Sequence, residues 1–412
     1  MKYIKAKHLV VNLAIAIILI ISVSSCRKNE VTDYKYFISK EYKIGYSKDY
    51  ITSIVDVAAT SYPEISDLKQ YISTNVEVYK IVYRTIINNK SVSASGLVCI
   101  PSVQGEYPVL CFQNGTNTVN ANCPSEDVTD PSYQMIEAAA SMGYIVVIPD
   151  YPGFGESSGV PHPYLVTAPT VKSIIDMLFA VKETGSGEFP GITVKNEYYL
   201  IGYSQGGWAT LALHKALEQE HSADFDLKAS ACGAGPYDMT LLFTGMVKAM
   251  NYDMPFYIGY IVNAYSAYDQ FTNPVSDIFN EPYASKLASL YNGLMTSQQI
   301  NNQLTNSIPA LFTPDFLSGY DSDPKYSSVR EALITNSISA WKTSKPVLFI
   351  HGGSDTTVDP SSTENIYSGM IQAGTPTDIC KKEIVPLLNH GEAKIPSMIK
   401  GLLFIRSIQN AG

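Results

Sequence analysis

Apolar and polar positions alternate along Val76-Glu77-Val78-Tyr79-Lys80-Ile81-Val82-Tyr83, the period of two that a half-buried strand requires. Residues 92–100 read as its partner, and Asn88-Asn89-Lys90 supplies the turn, so the two runs predict an antiparallel hairpin. Beyond the hairpin the texture changes to short apolar runs separated by longer helical stretches. Residues 108–112, 144–148, 198–201, 227–232, 346–350 and 383–388 read as strands. Helical segments are expected at 135–142, 171–181, 208–213, 363–373 and 395–408. Repeated strand–helix units after an antiparallel start predict an α/β fold: a mostly parallel central sheet with helices on both faces.

Two segments depart from this rhythm. Residues 27–75 are mixed, with helical texture over 50–59 and 65–72. Between Pro236 and Lys345 about a hundred residues carry no convincing parallel strand. This segment is rich in Tyr, Met and Asn, is punctuated by prolines, and has helical patterns at 257–268 and 284–294. An insertion of that length inside a sheet domain is usually functional, and it is read as a helical cap over an active site. The expected division is a signal peptide at 1–25, an N-terminal extension at 26–75, a core at 76–236 and 346–412, and the cap at 237–345.

Composition narrows the class. The 412 residues are 45% hydrophobic, enough for a large domain with an insertion, and the net charge is −9. The first 25 residues hold three lysines and no acid, so the remainder stands at −12, a poor candidate for binding nucleic acid. Those lysines, Lys2, Lys5 and Lys7, precede an apolar run over 9–23 that is too short for a comfortable membrane span. The run ends in Val23-Ser24-Ser25-Cys26, which resembles a bacterial lipobox. That resemblance implies lipidation at Cys26 and attachment to the cell envelope, on the periplasmic or the outer side; an uncleaved anchor or an ordinary secretory signal is the alternative. Cys99, Cys111 and Cys232 lie in apolar strands and read as buried small hydrophobes. Cys123 and Cys380 lie in loop-like sequence, where a disulfide would be compatible with an oxidising compartment. Without a CxxC pair, HExxH, strand-following GxGxxG or phosphate-binding lysine loop, neither a metal nor another cofactor is expected.

The chemistry gathers at Gly202-Tyr203-Ser204-Gln205-Gly206-Gly207. A β-rich run enters this G-x-S-x-G turn and a helix-forming run, Trp208 to Leu213, leaves it, the context of a nucleophile elbow. The turn demands nearly side-chain-free residues at Gly202 and Gly206, and it holds the serine hydroxyl at a helix N-terminus, where developing negative charge is favoured. The bare pattern is weak, and the chain contains a second copy, Gly155-Glu156-Ser157-Ser158-Gly159. That copy follows Pro149-Asp150-Tyr151-Pro152-Gly153 and runs into Pro161-His162-Pro163, so it reads as a loop. Ser204 is the candidate nucleophile and Ser157 is not.

Serine needs a base to take its proton, and the base needs an orienting group. Of six histidines, His8 lies in the signal, and His214 and His221 read as solvated helix residues. His351 ends a strand, and His162 lies in a Pro-rich loop that could line the pocket. His390 follows the last strand, at the carboxyl edge where ligands collect in such sheets, and is the candidate base. Asp355 follows the 346–350 strand and is the candidate acid; Asp359 sits at a helix start, where capping explains it. The oxyanion donors expected are the backbone N–H of Gln205 and that of Thr116, with Asn114 as the fallback and Gly115 permitting close approach.

The segments from Pro149 to Ser157 with His162-Pro163-Tyr164, from Gly202 to Gly207, and His351-Gly352 with Asp355 and Val358 together resemble the α/β-hydrolases, specifically secreted lipase- and esterase-like bacterial proteins. The likeness covers about residues 76–410 and implies the fold, a Ser204–Asp355–His390 triad and a cap between the sixth and seventh core strands. Asn114-Gly115 stands where that family usually has His-Gly. An esterase or lipase acting on a small, lipid or glycan ester is the expectation. A serine peptidase would need an acidic clamp for the substrate amine, and a non-catalytic lipoprotein would not need an intact triad. A dehalogenase or epoxide hydrolase would carry Asp as nucleophile.

Overall fold

The two asparagines at the expected turn close the hairpin by themselves. Ile87 pairs with Lys90, and Asn88 and Asn89 both take positive φ, 48° and 60°, the conformation a two-residue hairpin turn requires. The computed structural model describes residues 33–411, and the fold below is that of the unit from Tyr36 onward. The expected signal peptide and Cys26 lie outside the described residues.

The hairpin strands, β2 (Val76–Ile87) and β3 (Lys90–Pro101), extend into one nine-stranded sheet. The others are β1 (Phe37–Tyr46), β4 (Gly105–Gln113), β5 (Ile145–Pro149), β6 (Ile192–Tyr203), β7 (Leu227–Gly233), β8 (Val347–Gly352) and β9 (Cys380–Val385). Their spatial order is β1-β2-β3-β5-β4-β6-β7-β8-β9. Pairing is antiparallel through β3–β5 and parallel from β5 to β9. The crossing of β4 and β5 puts the ends of β4 and β6 side by side, Gln113 opposite Gly202.

Strand β1 is the element the sequence pattern does not disclose. Register shifts between Phe37 and Ser39 and between Tyr42 and Ile44 break its alternation, as bulges do on an edge strand. After it, Ser47 caps helix Lys48–Ala59 by accepting from the Tyr50 N–H. The helical texture at 65–72 is realised only as far as Lys69. The last strand also sits earlier than expected. Its ladder runs from Val347↔Cys380 to Gly352↔Val385, and Pro386, which has no N–H to give, ends it.

Helices cover both faces. Ile51 and Val55 of the first helix, Ile136 of helix Pro131–Glu137, and Met398, Leu402 and Ile405 of the final helix Lys394–Ala411 form one core with Val76, Leu97, Leu110, Val146 and Ile201. The alternate positions Val98, Val109, Val147 and Leu200 are equally buried and face the other side, as the strand period dictates. Helices Thr167–Glu188 and Gln205–Gln219 pack there and on each other. Between β7 and β8 the chain adds no strand to the sheet. It forms helices from Met239–Lys248 to Ser327–Asn336, around an aromatic cluster of Phe243, Phe279, Phe312, Phe316 and Tyr326. Trp208 ties this segment to the sheet domain by donating to the Asn336 carbonyl (3.1 Å).

The disulfide considered between Cys123 and Cys380 does not form. Both thiols are free and buried, Cys380 opening β9 beside Val347 and Cys123 in the turn before Ser125. Among the described residues no helix is long and apolar enough to cross a membrane.

Glu137 is the anomaly of the core. Its side chain is fully buried, and neither carboxylate oxygen has a hydrogen-bond partner; Tyr46, which could serve it, donates to the Val128 carbonyl instead. Burial pushes its pKa up to about 8. The folded state therefore holds a neutral acid that the unfolded chain ionises. Its stabilising contribution is full below the ordinary carboxylate pKa and is lost as pH rises through about 8. Glu137→Gln should flatten the decline in melting temperature between pH 5 and 8, a slope of at most ~1.4 kcal/mol per pH unit. Parallel curves for both proteins would refute this.

Candidate active site

Strand β6 hands directly to helix Gln205–Gln219, and Ser204 makes the turn at φ 60°, ψ −124°. A non-glycine residue there is strained, and its surroundings must hold it. Ser204 N–H donates to the Gly233 carbonyl (2.9 Å), and its own carbonyl accepts from Trp208 N–H (3.1 Å). The glycines allow the approach. A Cβ on Gly202 would lie 2.4 Å from the Gly206 carbonyl oxygen, and one on Gly206 only 1.9 Å from that of Gln113. Gly207 is equally constrained, at 2.1 Å from the Gly233 oxygen, although sequence reasoning singled out only the first two.

Ser204, Asp355 and His390 meet. Ser204 Oγ is 2.8 Å from His390 Nε2, and His390 Nδ1 is 2.6 Å from Asp355 Oδ2. A carboxylate accepts only, so Nδ1 carries the proton and Nε2 is free to accept from the serine hydroxyl. Tyr203, next to the serine, donates its hydroxyl to the His390 carbonyl (2.6 Å). Asp355 is buried, and its Oδ1 accepts from the N–H groups of Thr357 and Val358 (2.9 Å each). Burial alone would raise its pKa. The bonds from His351, His390 and Val358 outweigh that and hold it well below the usual carboxylate range.

His351 has a role that its position at a strand end did not announce. Its Nε2–H donates to the Val358 carbonyl (2.9 Å) and lies 3.2 Å from Asp355 Oδ2; its Nδ1 accepts from Thr363 Oγ (2.7 Å). It pins the loop that carries the acid. Asp359 accepts from Ser361 N–H (2.8 Å) just before helix Ser361–Gln372 and takes no part in the chain of bonds.

Two histidine expectations need correction. His214 is not solvated: it is fully buried between Ser230 Oγ (2.9 Å) and Thr343 Oγ (3.0 Å), because its helix is covered on that side too. His162 does not line the cavity around Ser204. It lies beneath, its Nδ1–H donating to the Pro152 carbonyl (2.8 Å) and its Nε2 accepting from the Gln205 side-chain amide (2.9 Å). Burial pushes it down to about 4, so it stays neutral. His221 is half-buried, 3.4 Å from Asp224. Ser157 is buried and donates to the Phe154 carbonyl, away from any elbow.

The loop after β4 forms the facing wall. The Asn114 side chain donates to the Pro149 carbonyl (2.8 Å), which commits it to the scaffold. Among the described residues, the backbone N–H groups of Gln205 and Thr116 donate to no other group. Gly115 leaves open space, a Cβ there meeting only the Tyr203 oxygen at 3.5 Å. Thr116, Asn117, Tyr257, Lys394, His390 and Ser204 share a cavity of about 330 Å³.

A sheet of this order, with a half-buried serine at the strand–helix turn and a histidine–aspartate pair at neighbouring strand ends, defines an α/β-hydrolase. The chain belongs to the secretory lipase family, which it matches over residues 127–386, and it is a carboxylic ester hydrolase. The match spans Ser204 and Asp355 and stops four residues short of His390. Solved structures agree on the fold. A hydrolase from Legionella pneumophila superposes with a TM-score of 0.80 at 23% identity, covering 91% of this chain and 98% of that one. The rice cell wall degrading esterase LipA from Xanthomonas oryzae gives 0.75 at 24%, covering 91% and 97%. Candida antarctica lipase A in its closed state gives 0.64 at 16%, covering 91% and 82%. No curated protein matches the chain.

The contact at Gly206 sets a direct expectation. Gly206→Ala should abolish soluble folded protein, whereas Gly115→Ala should fold with a melting temperature near that of the wild type. Soluble yield and thermal melting of the two variants check it.

Proposed function

We propose that Ser204, His390 and Asp355 act as a catalytic triad that hydrolyses carboxylic esters through an acyl-enzyme. The observation that carries this reading is the unbroken line of bonds from Ser204 Oγ through His390 to Asp355, with the imidazole tautomer fixed by the carboxylate. His390 takes the serine proton as Ser204 attacks the ester carbonyl. Asp355, kept ionised by its donors, stabilises the imidazolium that forms. The tetrahedral oxyanion is received by the N–H of Gln205, in the first turn of its helix, and by that of Thr116 across the cavity. His390 returns its proton to the departing alcohol, and a water activated by the same imidazole then frees the acid.

The helical segment at 237–345 acts in this reading as the cap, with Tyr257 forming part of the cavity wall. Lipidation at Cys26 is proposed to hold the enzyme at the cell envelope. A peptidase with an acidic amine clamp is disfavoured, because the cavity lining carries a single carboxylate, Asp130, rather than an acidic cluster.

Ser204→Ala should eliminate labelling by a fluorophosphonate probe and lower kcat on a nitrophenyl ester by at least about 10⁴-fold; Asp355→Asn should cost about 10³- to 10⁴-fold. Ester hydrolysis that survives Ser204→Ala would overturn the assignment. Cells fed an alkyne-tagged fatty acid should label the wild-type protein and leave Cys26→Ala unlabelled.

A further inference from the structure

Lys394 is the residue of the cavity that the triad does not use. It opens the final helix, four residues after His390, and lines the same cavity as Ser204 and His390. Its Nζ donates to Ser132 Oγ (2.9 Å). An ammonium offers three donors, and among the described residues no carboxylate comes within ion-pair distance of it. The nearest acid acting on it is Asp130, whose Oδ1 is taken by the Ser132 N–H (2.7 Å) at the start of helix Pro131–Glu137. The placement is electrostatically costly twice over. The side chain is partly desolvated, and a cation at the first turn of a long helix opposes the helix dipole. Neither cost serves the packing, since a neutral side chain could reach Ser132 equally well.

We propose that Lys394 is a specificity residue that binds a carboxylate on the alcohol portion of the ester. The proposal rests on the triad reading. His390 Nε2 must deliver its proton to the departing oxygen, so the alcohol lies on the His390 side of the cavity. Lys394 stands four residues after His390, opens the next helix and lines the same cavity. Asn117, Asn122, Ser132 and Tyr133 line the same cavity, together with Asp130, whose Oδ1 is held by the Ser132 N–H. An anion entering this corner pairs with the two remaining N–H groups of Lys394. Binding it offsets the cost of holding the ammonium partly desolvated and without a carboxylate partner.

Two pairs of esters test this in the full-length enzyme. The first is 4-carboxyphenyl acetate against phenyl acetate, with the carboxylate on the leaving group. The second is monophenyl adipate against phenyl hexanoate, with the carboxylate on the acyl chain. In Lys394→Met, kcat/KM for 4-carboxyphenyl acetate should fall roughly 10- to 100-fold, the range of a charge-assisted bond, while phenyl acetate changes less than about threefold. Lys394→Arg should recover most of the loss, and added salt should narrow the preference of the wild type. Equal losses on both acetates would make Lys394 a structural residue and overturn the proposal. A discrimination confined to the adipate pair would overturn it as well. Ser204→Ala, assayed on the same esters, separates the two levels. Hydrolysis that depends on Ser204 but is indifferent to Lys394 sinks only this inference, whereas hydrolysis independent of Ser204 sinks the triad reading beneath it.

Discussion

The backbone of one residue, held at φ 60° between a strand and a helix, is the constraint on which the rest of this structure depends. Strain at Ser204 persists only because three strand ends crowd around it. The carbonyls of Gln113 on β4 and Gly233 on β7 press against Gly206 and Gly207 at distances no Cβ would tolerate. That crowding needs β4, β6 and β7 to be neighbours, and hence the crossover that places β5 outside β4. The sheet order is therefore a requirement of the turn as much as a container for it. The wall opposite the serine follows from the same geometry. Asn114 and Gly115 continue the strand whose last carbonyl already touches the elbow.

Electrostatics completes what the backbone begins. Asp355 is buried, a condition that by itself favours the neutral acid, yet it is held charged. Four donors converge on it: two backbone N–H groups, His351 and His390. Glu137 shows the opposite outcome. Equally buried but without donors, it rests in the form that Asp355 is prevented from adopting. The two carboxyls differ by environment, which holds one charged beside His390 and makes the other a latent burden on the core at high pH.

Much of this was legible in the sequence, for definite reasons. The elbow announces itself because its glycines are obligatory. Asp355 and His390 stand out because they directly follow apolar strands, in an order that few folds use. Strand β1 was hidden by its own bulges, and β9 was placed late because Ile384 and Val385 carry its apolar signal while Lys381 and Lys382 face solvent. His214 looked like a surface residue because a polar side chain on a helix usually is one. Ser230 of β7 and, from a distant segment, Trp341 and Thr343 cover it. His351 and Lys394 escaped for a shared reason. What marks them is what they face, Asp355 for the one and the cavity of Ser204 for the other, and no local pattern encodes that.

The hydroxyl of Tyr203 on the carbonyl of His390 has a mechanical consequence. The segment after Pro386 lies outside the ladder of β9 and carries an exposed Leu387 at positive φ. Such a loop would be expected to carry its histidine along as it moves. Here His390 is moored to β6, at the residue just before Ser204. Serine and imidazole thus share a common frame at the end of β6.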